Sequence, residues 1–279
     1  MLHYITVATH SERYLPVLEK QLEDKGKKLN KLGFGKKYSG HFMKDLETIE
    51  FLKDKNPDDL VIFLDGFDSL SLSSEEEIIE KFKSFNKKLV ISVENIRNAY
   101  LTHSYVFQKV LGKYINTGLF MGEVRFVRDF LERMYSKEYD KKSNQKTWCK
   151  FLNSEYNEYI GLDRDSLLFL NHSFTCNNSF KLKNKRIELD NNNKPCFIQG
   201  NGCYNMDYII KELGYSKNNI HKNSFLKDTW KYNFKTIFKT YPIIRYLIFS
   251  IICGLLFVLF IFYFGKKSLK YKDLNITIN

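Results

Sequence analysis

Apolar residues recur along most of this chain in two rhythms, near-continuous short runs and a spacing of three or four. The run Leu2 to Ala8 predicts a buried strand, and Leu15, Leu18 and Leu22 at i, i+3 and i+7 place a helix over Glu12 to Lys25. A second helix is expected from about His41 to Lys53, with Phe42, Leu46, Ile49 and Leu52 inward. Asn56-Pro57-Asp58-Asp59 breaks it before Leu60 to Leu64, whose all-apolar composition suits a central strand. Ser73-Ser74-Glu75-Glu76-Glu77 supplies a helix cap, followed by Ile78, Ile79, Phe82 and Phe85 on one face. Leu89 to Val93 and Tyr114 to Met121 read as strands. Phe126, Val127, Phe130, Leu131 and Met134 mark another helix, and Ser143 to Asn153 a further one. Strands alternating with helices imply an α/β fold with a mostly parallel sheet covered by helices on both faces. Residues 175–195, rich in Asn and Lys, read as a polar surface loop.

The pattern changes near the C-terminus. From Tyr246 to Phe264 runs an uncharged stretch of mainly Leu, Ile and Phe, between Arg245 and Lys266-Lys267, with Tyr241, Tyr246 and Tyr263 near its ends. At about 1.5 Å per residue it approaches the roughly 30 Å of a bilayer's hydrocarbon core, so a C-terminal transmembrane helix is expected over 243–265. The expected organisation is a domain over 1–222, a basic juxtamembrane segment over 223–242, the span, and a short polar tail over 266–279. No cleaved signal is legible before the first strand. A single-pass C-terminal anchor with the large domain in the cytosol follows, and the flanking Lys residues suit anionic headgroups of a lipid bilayer.

With 43% hydrophobic and 16% aromatic residues, the 279-residue chain has enough apolar surface for a substantial core. The net charge of +12 and pI near 9.2 raise nucleic-acid binding, but Lys is scattered rather than clustered, and no nucleic-acid partner is expected. Five cysteines, Cys149, Cys176, Cys196, Cys203 and Cys253, show no zinc spacing. They read as free thiols, with a Cys196–Cys203 pair as the alternative in an oxidising compartment.

Chemistry is sought in loops after strands, where ligands of such sheets gather. Leu64-Asp65-Gly66-Phe67-Asp68 puts two carboxylates three residues apart where a buried strand ends. Hard cations such as Mn²⁺ or Mg²⁺ take oxygen ligands and bridge carboxylates to a diphosphate; the same tetrapeptide also reads as an ordinary turn. Cys196-Phe197-Ile198-Gln199-Gly200-Asn201-Gly202 offers two glycines that let peptide N–H groups approach a phosphate, or form a plain turn. Tyr114-Ile115-Asn116-Thr117-Gly118 interrupts an apolar strand with a polar step, suited to sugar hydroxyls or to a β-bulge.

Taken in order, Ile5-Thr6-Val7-Ala8-Thr9, Asp65-Gly66-Phe67-Asp68, Ile91-Ser92-Val93-Glu94, Asn116-Thr117-Gly118, Leu162-Asp163-Arg164 and Gln199-Gly200-Asn201-Gly202 resemble the glycosyltransferase domain of collagen lysyl hydroxylases and related viral proteins. The resemblance covers approximately residues 4 to 215. It implies a GT-A-like (Rossmann-like) fold, a UDP-sugar donor carrying galactose or glucose, and Mn²⁺ (or Mg²⁺) as cofactor. It further implies that Val7, Ala8, Thr9 and Phe67 receive the nucleotide and that Asp65, Asp68 and Gln199 hold the metal. Gly200, Asn201 and Gly202 then contact the diphosphate.

Three departures from that pattern stand out. Gln199 replaces the family's ligand His, Ser143-Asn144-Gln145 replaces an acidic run, and Asn205 stands about where a Lys is expected. Asn116 and Thr117 are candidates for the sugar or acceptor, and Asp163 and Asn144 for catalysis. The expected function is a metal-dependent hexosyltransferase acting on an unknown, hydroxylysine-type acceptor. The alternative is a catalytically degenerate, membrane-tethered binding or scaffold module.

Overall fold

The computed structural model describes residues 1–96, 108–137, 143–155, 158–173, 176, 178–201, 204–216, 246 and 249–262. The chain divides into two units, Met1–Phe225 and Leu226–Asn279. In the first unit, strands β1 (Leu2–Val7), β2 (Leu29–Leu32), β3 (Leu60–Leu64), β5 (Leu89–Glu94), β6 (Tyr114–Glu123) and β7 (Ile160–Asp163) form one sheet in the order β2-β1-β3-β6-β5-β7. A second sheet, in the order β4-β11-β8, joins β4 (Ser69–Ser71), β11 (Phe197–Gly200) and β8 (Phe169–His172).

Strands β3 and β5 read as near-continuous apolar runs because both of their faces are buried. Val61 and Phe63 of β3 pack with Val124, Val127, Phe130 and Leu131 of helix α4 (Val124–Ser136) and Trp148 of α5 (Asn144–Glu155). Ile62 and Leu64, one step out of phase, meet α1 (Leu15–Glu23) through Leu15, Leu18 and Leu22, and α3 (Glu75–Ser84) through Ile78 and Phe82. Each such fully buried side chain contributes about 1.5–3 kcal/mol. A third cluster joins Leu70, Ile198 and Leu170 of the small sheet to α6 (Asp207–Glu212). The Ser74 cap forms as expected, its hydroxyl accepting the Glu77 N–H.

Several expectations need correction. The sheet is mixed rather than mostly parallel: β1 is parallel to β2 and β3, and β5 to β7, but β6 is antiparallel to both β3 and β5. The reason is local, since β6 begins at Tyr114 opposite Glu94, where β5 ends, and so must run back. Helix α2 (Met43–Leu52) turns a different face inward, burying Met43, Asp45, Thr48 and Leu52 and leaving Leu46 half exposed. Asp45 accounts for the rotation, because its carboxylate accepts the Trp148 indole N–H (3.2 Å) and the Tyr135 hydroxyl (3.2 Å). The supposed loop at 175–195 contains a hairpin of β9 (Phe180–Lys183) and β10 (Arg186–Leu189). Its two-residue turn places both Asn184 (φ 52°) and Lys185 (φ 59°) in the left-handed region, as type I′ turns require.

The expected membrane-spanning helix is also overturned. Among the described residues no helix is long and apolar enough to cross a membrane. The described helical stretch of the second unit covers 249–262, and at about 1.5 Å per residue this falls short of a roughly 30 Å core. A single-pass anchor and a lipid bilayer partner therefore lose their support. The flanking basic residues at 227–245 and 266–272 lie outside the described residues.

Candidate functional site

The end of β3 is held in place by its neighbours before any ligand enters. The Asp65 N–H donates to the Gly118 carbonyl (2.8 Å), and the Asp68 N–H turns back to the Asp65 carbonyl (3.3 Å). Gly66 is required here for close approach, since a Cβ would lie 2.6 Å from Thr6 Oγ1 and 2.9 Å from Leu15 Cδ1. The loop thus packs on β1, the strand that leads to Val7, Ala8 and Thr9. Its Phe67 ring lies 5.4 Å from the ring of His10, a residue that sequence reasoning missed.

Strand β11 runs antiparallel to β4, which begins one residue after Asp68, and this pairing brings in the second motif. Gly200 donates its N–H to the Asp68 carbonyl (2.7 Å), and Gln199 donates its Nε2 to Asp68 Oδ1 (3.0 Å). The Gln199 side chain is 97% buried, and its Oε1 has no hydrogen-bond partner. Thr6 Oγ1 and Asn201 Oδ1 are likewise buried and unpartnered. Unsatisfied polar atoms are uncommon in native interiors, and these three call for a partner.

The third motif meets the first two through a bulge. The β5–β6 register jumps from Ile91↔Phe120 to Ser92↔Asn116, so Thr117, Gly118 and Leu119 are extra on β6. The bulge folds Asn116 Oδ1 back onto the Gly118 N–H (2.7 Å). Gly118 lies so close to Gln199 that an added Cβ would fall 2.5 Å from the amide nitrogen. Polar step and bulge are therefore one structure.

Two charged groups complete the site, and neither was singled out for a role from the sequence. Lys44 of α2 places its ammonium 2.5 Å from Asp65 Oδ2. Burial draws the Lys44 pKa down, but the Asp65 carboxylate outweighs this and leaves it raised. Burial, and then the neighbouring Asp65 charge, push the Asp68 carboxyl well above the usual carboxylate range. Glu94, at the end of β5, accepts on one oxygen from Asn116 Nδ2 (2.8 Å) and Asn201 Nδ2 (2.9 Å).

The two residues expected in catalysis have structural partners of their own. Asp163 is fully buried and accepts backbone N–H bonds from Leu167, Leu168 and Phe169 at 2.7–2.9 Å. Burial raises its pKa to about 6 against the pull of those three donors. Asn144, at the start of α5, is buried beside Asp45 and favours that residue's ionised form. Asn205, just ahead of α6, accepts the Asp207 N–H (2.8 Å) on its side-chain oxygen. Thr117 is buried in the bulge, and Gly202 and Cys203 lie outside the described residues. Cys196 is a buried free thiol. His172, on β8, stacks edge-on against Phe180 and Tyr204.

Among the described residues no three His, Cys, Asp or Glu side chains come together to hold a metal. Beside Asp65 and Asp68 stands the Gln199 amide, which meets Asp68 through its nitrogen and carries an unpartnered oxygen. Three hard oxygen donors, one of them buried and unpartnered, still match the chemistry of Mg²⁺ or Mn²⁺.

A family model for the PLOD GT domain matches residues 1–227. Procollagen-lysine,2-oxoglutarate 5-dioxygenase 1 of Gallus gallus is 30% identical over 162 residues, covering 52% of this chain and 21% of that protein. Uncharacterized protein R699 of Acanthamoeba polyphaga mimivirus is 28% identical over 188 residues, covering 61% and 39%. The chain thus aligns with well under half the length of these relatives. Among solved structures, the galactosyltransferase LgtC in complex with donor and acceptor sugar analogs shares 11% identity, with coverage of 82% and 100% and a TM-score of 0.43. Mouse xyloside xylosyltransferase 1 shares 11%, with coverage of 62% and 88% and a TM-score of 0.39.

Proposed function

This chain belongs to the PLOD GT domain family, and on that premise we propose that it is a GT-A-type enzyme transferring a hexose from a UDP-sugar to a hydroxyl acceptor. The observation that carries the reading is the convergence of Asp65 and Asp68, at the end of β3, with Gln199 of β11, alongside buried, unpartnered oxygens on Thr6, Gln199 and Asn201. In this reading Asp65, Asp68 and Gln199 hold Mn²⁺ or Mg²⁺, which supplies neutralising charge for the diphosphate leaving group when bound.

The chain's own residues do the rest. Val7, Ala8, Thr9 and Phe67 form the nucleotide's side of the cleft, where the β1 turn meets the Asp65–Asp68 loop. Gly200 and Asn201 lie beside Asp68, but their N–H groups are taken by the Asp68 and His172 carbonyls, so the charge of the diphosphate falls to the metal and to Lys44, which adds a cation next to Asp65. Asn116, whose side chain Glu94 and Gly118 hold in one orientation, is our candidate for a sugar hydroxyl, which this orientation supports.

A thermal-shift titration with UDP, with and without Mn²⁺, tests the donor site. Stabilisation that requires the metal and disappears in Asp65→Ala is expected; no response to UDP with Mn²⁺ overturns the reading. A second reading, donor binding without transfer, is favoured by the structural roles of Asp163 and Asn144. UDP binding with no UDP-sugar hydrolysis or transfer identifies it.

A further inference from the structure

Glu94 lies outside the metal-binding set proposed above, yet the hydrogen bonds around that set converge on it. Its Oε1 accepts Asn116 Nδ2 (2.8 Å) and Asn201 Nδ2 (2.9 Å), two amides from segments far apart in the chain. Each amide leads to one of the two aspartates. Asn116 Oδ1 accepts the Gly118 N–H (2.7 Å), and the Gly118 carbonyl accepts the Asp65 N–H (2.8 Å). Asn201 follows Gly200, whose N–H holds the Asp68 carbonyl (2.7 Å), and its own N–H is fixed on the His172 carbonyl (2.9 Å). The same carboxylate lines a pocket of about 290 Å³ with Asn95, Lys109, Lys113 and Tyr114. Its side chain is mostly buried.

We infer that Glu94 is the positioning residue of the donor site. It clamps the β6 bulge and the Gln199-Gly200-Asn201 segment to a single oxygen and so sets the spacing between Asp65, Asp68 and Gln199. The inference rests on the UDP–metal reading above. Its physical content is geometric: an acceptor oxygen at this point is what matters. A side chain of the same shape that keeps such an oxygen holds both amides, and one that lacks it leaves two buried NH₂ groups to find other partners.

The test is calorimetric binding of UDP with Mn²⁺ to the full chain and to Glu94→Ala, Glu94→Gln, Asn116→Ala and Asn201→Ala, with circular dichroism confirming the fold of each. Glu94→Ala is expected to weaken binding at least tenfold, and Glu94→Gln to restore affinity to within about threefold of wild type. Each Asn→Ala variant should weaken binding, and combining either with Glu94→Ala should add less than the product of the two single effects. If Glu94→Ala fails to fold, the two Asn variants and Glu94→Gln still decide the matter. Wild-type affinity in Glu94→Ala or in both Asn variants overturns the assignment while leaving the donor site standing. A loss in Glu94→Gln equal to that in Glu94→Ala also overturns it, because the charge then matters and the clamp does not. Wild-type protein that binds no UDP removes the donor site and this inference together.

Discussion

Asp163 offers the sharpest separation of structure from chemistry. Its Oδ1 accepts the Leu167 N–H (2.8 Å), and its Oδ2 accepts those of Leu168 (2.9 Å) and Phe169 (2.7 Å), closing the turn that joins β7 to β8. Asp163→Ala strands all three donors, two of them in buried surroundings, at about 1–3 kcal/mol each. Removing a carboxyl whose buried pKa stands near 6 returns part of that, so a net loss of about 3–4 kcal/mol is expected. Asp163→Asn keeps one oxygen acceptor and should lose about 1–2 kcal/mol. Urea unfolding of the full chain, followed by tryptophan fluorescence and far-UV circular dichroism, measures both.

The pH dependence has a definite sign. A folded-state pKa raised above about 3.9 means that the native state holds the proton more tightly, so this group's contribution falls as pH rises from about 4 to 6. The deficit of Asp163→Asn relative to wild type should accordingly be larger below pH 4 than at pH 8. An Asp163→Ala protein within about 0.5 kcal/mol of wild type that has lost UDP-sugar turnover would refute the structural assignment.

Other expectations follow from the same geometry. Gly118→Ala should abolish metal-dependent UDP binding in a thermal-shift assay, because its Cβ would enter the Gln199 amide at 2.5–2.7 Å. Lys44→Met leaves Asp65 without its ammonium, so the melting temperature should fall without metal and recover more than wild type on adding Mn²⁺; an unchanged metal response counts against the pairing. Burial pushes the Glu77 carboxyl up, but Arg186 and Lys81 outweigh it and hold it at about 2, so its contribution is present above pH 4.5 and lost as pH falls towards 2. Glu77→Gln should therefore cost about 1 kcal/mol at pH 7 and nothing near pH 2 in urea titrations. Burial raises the Asp45 carboxyl to about 7, so Asp45→Asn should flatten the decline in stability between pH 4 and 7, read from melting temperatures across that range.

The parts of the fold legible in the sequence are those whose signal is local. Leu60–Leu64 is recognisable because both of its faces are buried, and Ser74 because a cap acts within one turn. The strand Ser69–Ser71 carries one apolar residue, and only its pairing with Phe197–Gln199 makes it a strand. The hairpin at 180–189 did carry a signal, alternation around Asn184-Lys185, but the surrounding Asn and Lys residues obscured it. In the site, Asp65 and Asp68 announce themselves by position. Lys44 and Glu94 do not, because a lysine on a helix and a glutamate ending a strand acquire meaning only from what the sheet order places beside them.

The distance in sequence between Asp68 and Gln199, 131 positions, carries a consequence for biogenesis. Translation at about 5–20 residues per second leaves the first carboxylates waiting roughly 7–26 seconds before the ribosome delivers the amide that joins them. Tyr14 waits still longer for its bond from the Met206 N–H, 192 positions away. Throughout that interval the edge that will take β11 stays open, so a chaperone that shields nascent strands should raise the yield of folded protein more than one that acts after release.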